Sequence, residues 1–206
     1  MATNTPAQNF ADYEDSVKTL IVKVHVGISR GSGIIFGVQA EYLYFMTAWH
    51  VTQEAPQKVR VEFEFVRNEP VKAEFESSFP KLDLVVYKVN LQTVPLKQGT
   101  TVTLPFQHLS VFPSLKRPDP VYPAGHPSGE EWYIPTGFSR VKAIFEEEIQ
   151  FEPTCAQGYS GGGVFDAQGY LAGMILKDHT LYCEAVSFER LSVTLERRWG
   201  LTVNRA

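Results

Sequence analysis

The sequence predicts an all-β protein that consists of two six-stranded antiparallel β-barrels followed by one C-terminal helix. Short runs of alternating apolar and polar residues recur along the 206-residue chain, and turn residues separate them at the spacing typical of all-β folds. Only residues 187–199 have the apolar repeat of an amphipathic helix. We expect the candidate site to lie in the cleft between the two barrels.

The first 90 residues contain about six predicted strands. Residues 59–66 alternate apolar and charged side chains, as a half-buried antiparallel strand does. The other predicted strands cover residues 20–26, 34–38, 42–47, 71–75 and 82–89. We assign residues 1–15 to a flexible leader and residues 16–94 to the N-terminal barrel.

The second half of the chain repeats the pattern of strands and turns. Residues 95–118 are rich in proline and polar residues and form the predicted connection between the barrels. The C-terminal barrel is assigned to residues 119–186, with predicted strands at 121–124, 133–140, 141–145, 149–153, 163–165, 170–176 and 182–186. Residues 187–206 form the helix and the tail. Ser187 is the predicted N-cap, and Leu191, Leu195 and Trp199 form the apolar face.

Composition excludes several classes of protein. Hydrophobic residues make up 44% of the chain, which excludes global disorder, and a net charge of -4 gives no reason to expect a nucleic-acid partner. Residues 1–15 lack the features of a signal peptide, and no apolar run reaches the ~18 residues of a membrane span. We therefore expect a cytoplasmic protein with no membrane partner. Cys155 and Cys183 are expected to be free, buried thiols.

Three segments contain candidate catalytic side chains. Gly158-Tyr159-Ser160-Gly161-Gly162 places a serine between glycines, which allow a strained turn and converging backbone N–H groups. Upstream lie His50, just after the predicted strand 42–47, and then Asp83, at the start of the predicted strand 82–89. Taken singly, Ser160 is explained by a tight turn, His50 by a core or surface polar group, and Asp83 by a strand cap. Together, in the order His, Asp, Ser, they indicate nucleophilic catalysis.

On these motifs the chain resembles the chymotrypsin-fold serine proteases, and within them the HtrA-like, trypsin-like peptidases of bacteria. The matching segments together span most of residues 17–190, and one departure is Gly163, where the family usually has proline. The segments are Gly31-Ser32-Gly33-Ile34-Ile35, Thr47-Ala48-Trp49-His50-Val51, residues 82–89, residues 122–129, and residues 158–162 followed by 166–173.

The resemblance implies a role for each catalytic residue. Ser160 is the implied nucleophile, His50 its general base, and Asp83 the group that orients the imidazole. The backbone N–H groups of Gly158 and Ser160 are the implied oxyanion hole. The expected reaction is peptide-bond hydrolysis by a serine endopeptidase through an acyl-enzyme.

The resemblance also suggests which residues bind substrate. Thr154 lies six positions before the serine, where trypsin has the aspartate that selects basic residues, so a basic preference is not expected. Met174, Ile175 and Leu176 are expected to form one wall of the specificity pocket and to pair with the substrate backbone as an added strand. Their apolar character favours an uncharged, small or aliphatic side chain before the scissile bond. Secreted trypsin-like enzymes often have a disulfide in this region, so the resemblance implies a conditional bridge between Cys155 and Cys183 as the alternative to free thiols.

The expected partners are a protein or peptide substrate and a regulatory protein, because an unrestrained protease in the cytoplasm would be toxic. We predict no cofactor and no catalytic metal, since no two histidines have metal-ligand spacing. Two alternatives remain open. One is a catalytically silent pseudo-protease that binds peptides, and the other is a serine esterase or amidase.

Overall fold

A computed structural model describes residues 10–66, 69–95, 103–127 and 138–200 of the chain. Its architecture is mostly β and confirms the predicted fold class: one large antiparallel sheet, one closed barrel and a C-terminal helix. The predicted strand at residues 133–140 lies mostly outside the described residues.

The N-terminal sheet contains seven strands among the described residues, where six were predicted. The strands are β1 (Ile21–Val26), β2 (Ser29–Gln39), β3 (Tyr42–Ala48), β4 (Arg60–Phe63), β5 (Val71–Lys72), β6 (Glu74–Phe79) and β7 (Leu84–Asn90). Their order across the sheet is β5-β4-β1-β2-β3-β7-β6, and every pairing is antiparallel. The predicted strand at 71–75 is divided at Ala73, which is buried and lies between β5 and β6.

The second half of the chain forms a closed six-stranded barrel. Its strands are β8 (Pro120–Ala124), β9 (Ser139–Phe145), β10 (Glu148–Phe151), β11 (Gly163–Phe165), β12 (Leu171–His179) and β13 (Tyr182–Ser187). Their order around the barrel is β10-β13-β12-β11-β8-β9, and closure removes the unpaired edges that an open sheet would leave.

The predicted flexible leader through residue 15 is wrong for residues 10–15. A 3-10 turn at Phe10–Asp12 leads into helix α1 (Glu14–Leu20), whose Val17 and Leu20 are buried. The Phe10 ring is also buried and stacks on Tyr122 of β8, with ring centroids 4.1 Å apart. Burying one such aromatic side chain stabilises the fold by about 2 kcal/mol, and the buried side chains of Val17 and Leu20 add to this in holding the segment against the fold.

Two further helices follow along the chain. A single turn, α2 (Trp49–Thr52), follows β3 directly. Helix α3 (Phe188–Trp199) is the predicted C-terminal helix, and the Arg190 backbone N–H donates to the Ser187 hydroxyl at 3.3 Å, as expected of an N-cap. Leu191 and Leu195 are fully buried. None of the helices within the described ranges has both the length and the apolar character that a membrane span requires.

Candidate active site

His50 and Asp83 are brought together by the pairing of β3 with β7. Ala48 at the end of β3 lies opposite Leu84 at the start of β7, so the residues just beyond these strand ends are neighbours. His50 Nδ1 lies 2.6 Å from Asp83 Oδ2, and the His50 backbone N–H donates to Asp83 Oδ1 at 2.9 Å. The carboxylate therefore fixes both the ring and the main chain of His50.

Asp83 has a left-handed backbone, with φ of 48°, after the 3-10 turn Pro80–Leu82. A non-glycine residue in this conformation is strained by about 1–3 kcal/mol. The contacts of Asp83 offset this strain: its carbonyl accepts from the Trp49 N–H at 2.9 Å, and its own N–H donates to the Pro80 carbonyl at 3.1 Å. Asp83 is thus fixed relative to His50 on both its main chain and its side chain.

Ser160 lies on a glycine turn that enters β11. Gly158 and Gly161 have positive φ, 103° and 85°, a region that side chains rarely occupy. The turn is anchored to β12 by two backbone hydrogen bonds, from the Gly161 N–H to the Ile175 carbonyl at 2.7 Å and from the Ile175 N–H to the Gly162 carbonyl at 2.8 Å. Ile175 therefore contributes to the site through its backbone.

Ser32 of β2 joins the serine turn to the N-terminal sheet. Its N–H donates to the Ser160 carbonyl and its hydroxyl donates to the Gly158 carbonyl, each at 2.8 Å. The same hydroxyl accepts from the His126 backbone N–H at 2.8 Å. Ser32 belongs to the Gly31-Ser32-Gly33 motif, from which no role was predicted for it. A polar side chain between two glycines of a buried strand was the signal that pointed to it.

Glycine is required at 161 and 163 for different reasons. A Cβ on Gly161 would lie 2.2 Å from the Ser32 carbonyl oxygen and 2.3 Å from Thr47 Oγ1. A Cβ on Gly163 would lie 2.5 Å from an edge atom of the Phe165 ring. The departure at Gly163 is therefore explained by Phe165, whose ring fills the space that a larger residue at 163 would need.

A cleft of about 510 Å³ opens over the glycine turn, a size typical of ligand sites. His50 and Ser160 both line it, together with Ile28, Ser29, Arg30, Val51, Gln157 and Gly158. The Ser160 hydroxyl donates to the Leu176 carbonyl at 3.1 Å, and the described residues include no hydrogen bond between Ser160 and His50. The backbone N–H groups of Gly158 and Ser160 donate to no acceptor in the described part of the chain. Both are therefore available to bind a ligand oxygen.

The four predicted substrate-binding residues have different positions. Leu176 is partly exposed and contacts the Ser160 hydroxyl through its carbonyl. The side chains of Met174 and Ile175 are buried in the hydrophobic core, so they do not form the surface of the cleft. Thr154 is exposed, its N–H donates to the Glu152 carbonyl at 2.8 Å, and it is absent from the lining of the cleft as the described residues define it.

Cys155 and Cys183 form a disulfide, with Cα atoms 6.1 Å apart, so the expectation of two free thiols is wrong. Cys155 precedes the glycine turn, and Cys183 lies on β13 opposite Phe151 of β10. The bond therefore ties the entry to the serine turn to the barrel wall. Among the described residues, no group of three or more histidine, cysteine, aspartate or glutamate side chains is placed to hold a metal ion.

Comparison with known proteins gives a family match and a set of similar structures. The family model described as trypsin-like peptidase domain matches residues 31–174. No curated protein sequence matches the chain.

The three similar structures described next are each less than 25% identical to the chain and therefore bear on its fold alone. The Rv3671c protease from M. tuberculosis in its active form is 18% identical, with a TM-score of 0.70 over 98% of this chain and 90% of that one. The serine endoprotease from Yersinia pestis is 20% identical, with a TM-score of 0.70 over 93% of this chain and 68% of that one. Deg5 is 17% identical, with a TM-score of 0.70 over 95% of each chain.

Proposed function

Because the chain belongs to the trypsin-like peptidase domain family, it is a serine protease, and we propose that Ser160, His50 and Asp83 are its catalytic triad. The observation that carries this proposal is the 2.6 Å contact between His50 Nδ1 and Asp83 Oδ2. With Nδ1 held by a carboxylate, the imidazole keeps Nε2 as the nitrogen that can accept a proton.

The proposed reaction is the hydrolysis of a peptide bond in two steps. Ser160 Oγ attacks the carbonyl carbon as its proton passes to His50 Nε2, and the Gly158 and Ser160 N–H groups stabilise the oxyanion. His50 then gives this proton to the leaving amine, which leaves an ester on Ser160. A water molecule, deprotonated by His50, attacks that ester and releases the carboxylic acid and the free serine. Asp83 stabilises the imidazolium in both steps.

The Ser160 hydroxyl must leave the Leu176 carbonyl before it can act. We propose that a peptide bound as an added strand along β12 supplies N–H groups that compete for this carbonyl. The hydroxyl then turns from Leu176 towards His50. This resting hydrogen bond also supports regulation by a protein partner, since a partner that moves β12 by a small distance would change the reactivity of Ser160.

Labelling with a fluorophosphonate probe tests the triad. Wild-type protein is expected to label, and Ser160→Ala and His50→Ala are expected to remain unlabelled while they keep the wild-type circular dichroism spectrum. Ser114→Ala, at an exposed serine outside the cleft, is the matched control and should label at the wild-type rate. Equal labelling of wild type and Ser160→Ala would refute the assignment of the nucleophile.

The same resting hydrogen bond favours a second candidate, a peptide-binding module with no turnover. In that case the folded wild-type protein would stay unlabelled and would still bind extended peptides. Regulation by a partner has its own test: the rate at which the purified chain cleaves a denatured protein. A maximal rate that no added protein increases would contradict it.

A further inference from the structure

Three cationic side chains lie in one row across the N-terminal sheet. Arg30 of β2 lies directly opposite His25 of β1, His25 lies opposite Arg60 of β4, and Arg60 lies opposite Lys72 of β5. Directly opposed residues share one face of an antiparallel sheet. With neighbouring strands about 4.8 Å apart, the row spans about 14 Å, the length of about four residues of extended chain. We refer to Arg30, Arg60 and Lys72 as the basic row.

The basic row has no acidic counterpart in the described residues. Arg30, Arg60 and Lys72 are exposed, and none of them forms an ion pair there. The carboxylate on the same face, Glu62, is already occupied: one oxygen lies 3.4 Å from Lys23 Nζ and the other 2.7 Å from His25 Nε2. Like charges directly opposite each other, such as Arg60 and Lys72, destabilise a sheet. In a chain of net charge -4, such a row is an unfavourable feature that an acidic ligand would relieve.

The basic row begins at the candidate active site. Arg30 lines the cleft with His50 and Ser160. Its guanidinium donates to the Gly27 and Ser29 carbonyls, each at 3.1 Å, so the hairpin between β1 and β2 restrains it. Ser32, two residues along β2 and therefore on the same face, contacts the serine turn. The row therefore starts at the cleft and continues outward from it.

Arg30 lies on the N-terminal sheet, whereas Leu176 lies on β12 of the barrel. A substrate strand paired with β12 places its acyl half beside Leu176, whose carbonyl is 3.1 Å from Ser160 Oγ. Gly31, the neighbour of Arg30, packs instead against Val51 and the Ser160 carbonyl: a Cβ there would lie 2.6 Å from Val51 Cγ1 and 3.2 Å from Ser160 O. The part of a peptide that follows the scissile bond would therefore pass over Arg30.

We propose that the cleft selects peptides that carry aspartate or glutamate within about four residues after the scissile bond, with Arg30 binding the nearest carboxylate and Arg60 and Lys72 binding those further along. This inference rests on the proposed protease function. It concerns the substrate residues that follow the cleaved bond.

A kinetic test uses peptides that share one acyl half and differ only after the scissile bond, with Glu-Asp-Glu, Gln-Asn-Gln or Lys-Lys-Lys in that part. The acidic peptide is expected to have a kcat/KM roughly tenfold above the neutral one, with the basic peptide lowest, and 0.5 M NaCl should largely remove the difference. Arg30→Gln should lower the acidic preference roughly three- to fivefold, and Arg30→Lys should largely keep it. Arg197→Gln, an exposed cation on α3, is the matched control and should keep all of it.

A binding test does not depend on turnover. Fluorescence anisotropy with the Ser160→Ala variant compares the affinities of peptides that carry the acidic, neutral or basic segment after the scissile bond. The acidic peptide is expected to bind more tightly, and Arg30→Gln, Arg60→Gln and Lys72→Gln in combination should remove the difference. Equal affinities at low salt would overturn the inference. If neutral peptides are cleaved with no acidic preference, this inference fails and the protease function stands. If the acidic preference appears in binding while Ser160 never labels, the acidic selectivity stands and the proposed catalytic role of Ser160 fails.

Discussion

The Ser32 hydroxyl donates a 2.8 Å hydrogen bond to the Gly158 carbonyl and so connects the N-terminal sheet to the turn that contains Ser160. It also accepts from the His126 backbone N–H, which makes Ser32 a buried junction of three segments. The orientation of the Gly158 peptide therefore depends on a side chain from the other half of the fold.

Ser32→Ala is expected to lower the free energy of unfolding by about 1–3 kcal/mol, because it leaves a buried carbonyl and a buried N–H without their partner. It should also slow fluorophosphonate labelling of Ser160, since the Gly158 peptide loses its anchor. Urea denaturation and labelling kinetics measure the two effects. Labelling at the wild-type rate would show that Gly158 holds its position without Ser32.

Asp83→Asn is expected to lower kcat by roughly 10⁴-fold with little change of fold, because asparagine cannot hold the imidazole in the same tautomer or stabilise its cation. Peptide hydrolysis under saturating substrate measures the change. Asp12→Asn, at an exposed aspartate in the N-terminal 3-10 turn, is the control and should keep the wild-type kcat. A loss below tenfold for Asp83→Asn would remove Asp83 from the proposed triad.

Gly161→Ala is expected to destabilise the fold by about 3 kcal/mol or more, since it adds both backbone strain and a clash with the Ser32 carbonyl. Gly27→Ala separates the two effects, because Gly27 also has positive φ, 59°, and has no atom within 4 Å of the added Cβ. That control should cost about 1–2 kcal/mol from strain alone. Equal losses for the two variants in chemical denaturation would argue against the close approach at Gly161.

Reduction of the disulfide between Cys155 and Cys183 is expected to lower the free energy of unfolding. The bond closes a loop with a sequence separation of 28, for which the chain-entropy estimate is about 3–4 kcal/mol. Denaturation with and without dithiothreitol measures the change, and thiol alkylation followed by mass spectrometry reports the redox state. The double variant Cys155→Ser, Cys183→Ser should not respond to dithiothreitol. A wild-type stability that reduction leaves unaltered would contradict the assignment of a bridge.

His25→Gln is expected to flatten the dependence of stability on pH. Burial lowers the pKa of His25 from its ordinary value of 6.5; Glu62 opposes this shift, and Arg30 and Lys23 add to it. Arg60 of β4 lies directly opposite His25. The folded state therefore favours neutral histidine, and stability is lost as pH falls from about 6.5 through the lowered folded-state pKa. Urea denaturation at several pH values between 7.5 and 5 tests this, and parallel curves for wild type and variant would count against it.

The sequence was sufficient to predict the fold class, because strand alternation and turn residues are local signals. The assignment of His50, Asp83 and Ser160 as a catalytic triad stays a proposal. The structure places all three around one region, with His50 and Ser160 lining the same cleft. Phe10 was missed because its burial depends on Tyr122, more than a hundred residues away, and no local pattern reports such a contact. The burial of Met174 and Ile175 was missed for the same reason, since strand alternation does not specify which core each face meets.

The basic row also depends on contacts between residues that are distant in the sequence. Arg30, Arg60 and Lys72 are unremarkable in the sequence, and only the register of four strands brings them into one line. The bond between Cys155 and Cys183 depends likewise on the pairing of β10 with β13. Long-range register determines these features, and a single sequence gives no direct measure of it.

The candidate site is divided between two sheets, so it is complete only when both halves of the fold are present and paired. His50 and Asp83 are fixed within the N-terminal sheet, whereas Ser160 belongs to the barrel, and Ser32 provides the link across the boundary. On the proposed assignment, the residues up to β7 contain the general base and its aspartate without the nucleophile, and the barrel contains the nucleophile without the base. We therefore expect that neither half alone reacts with a fluorophosphonate probe and that labelling requires both halves to be mixed.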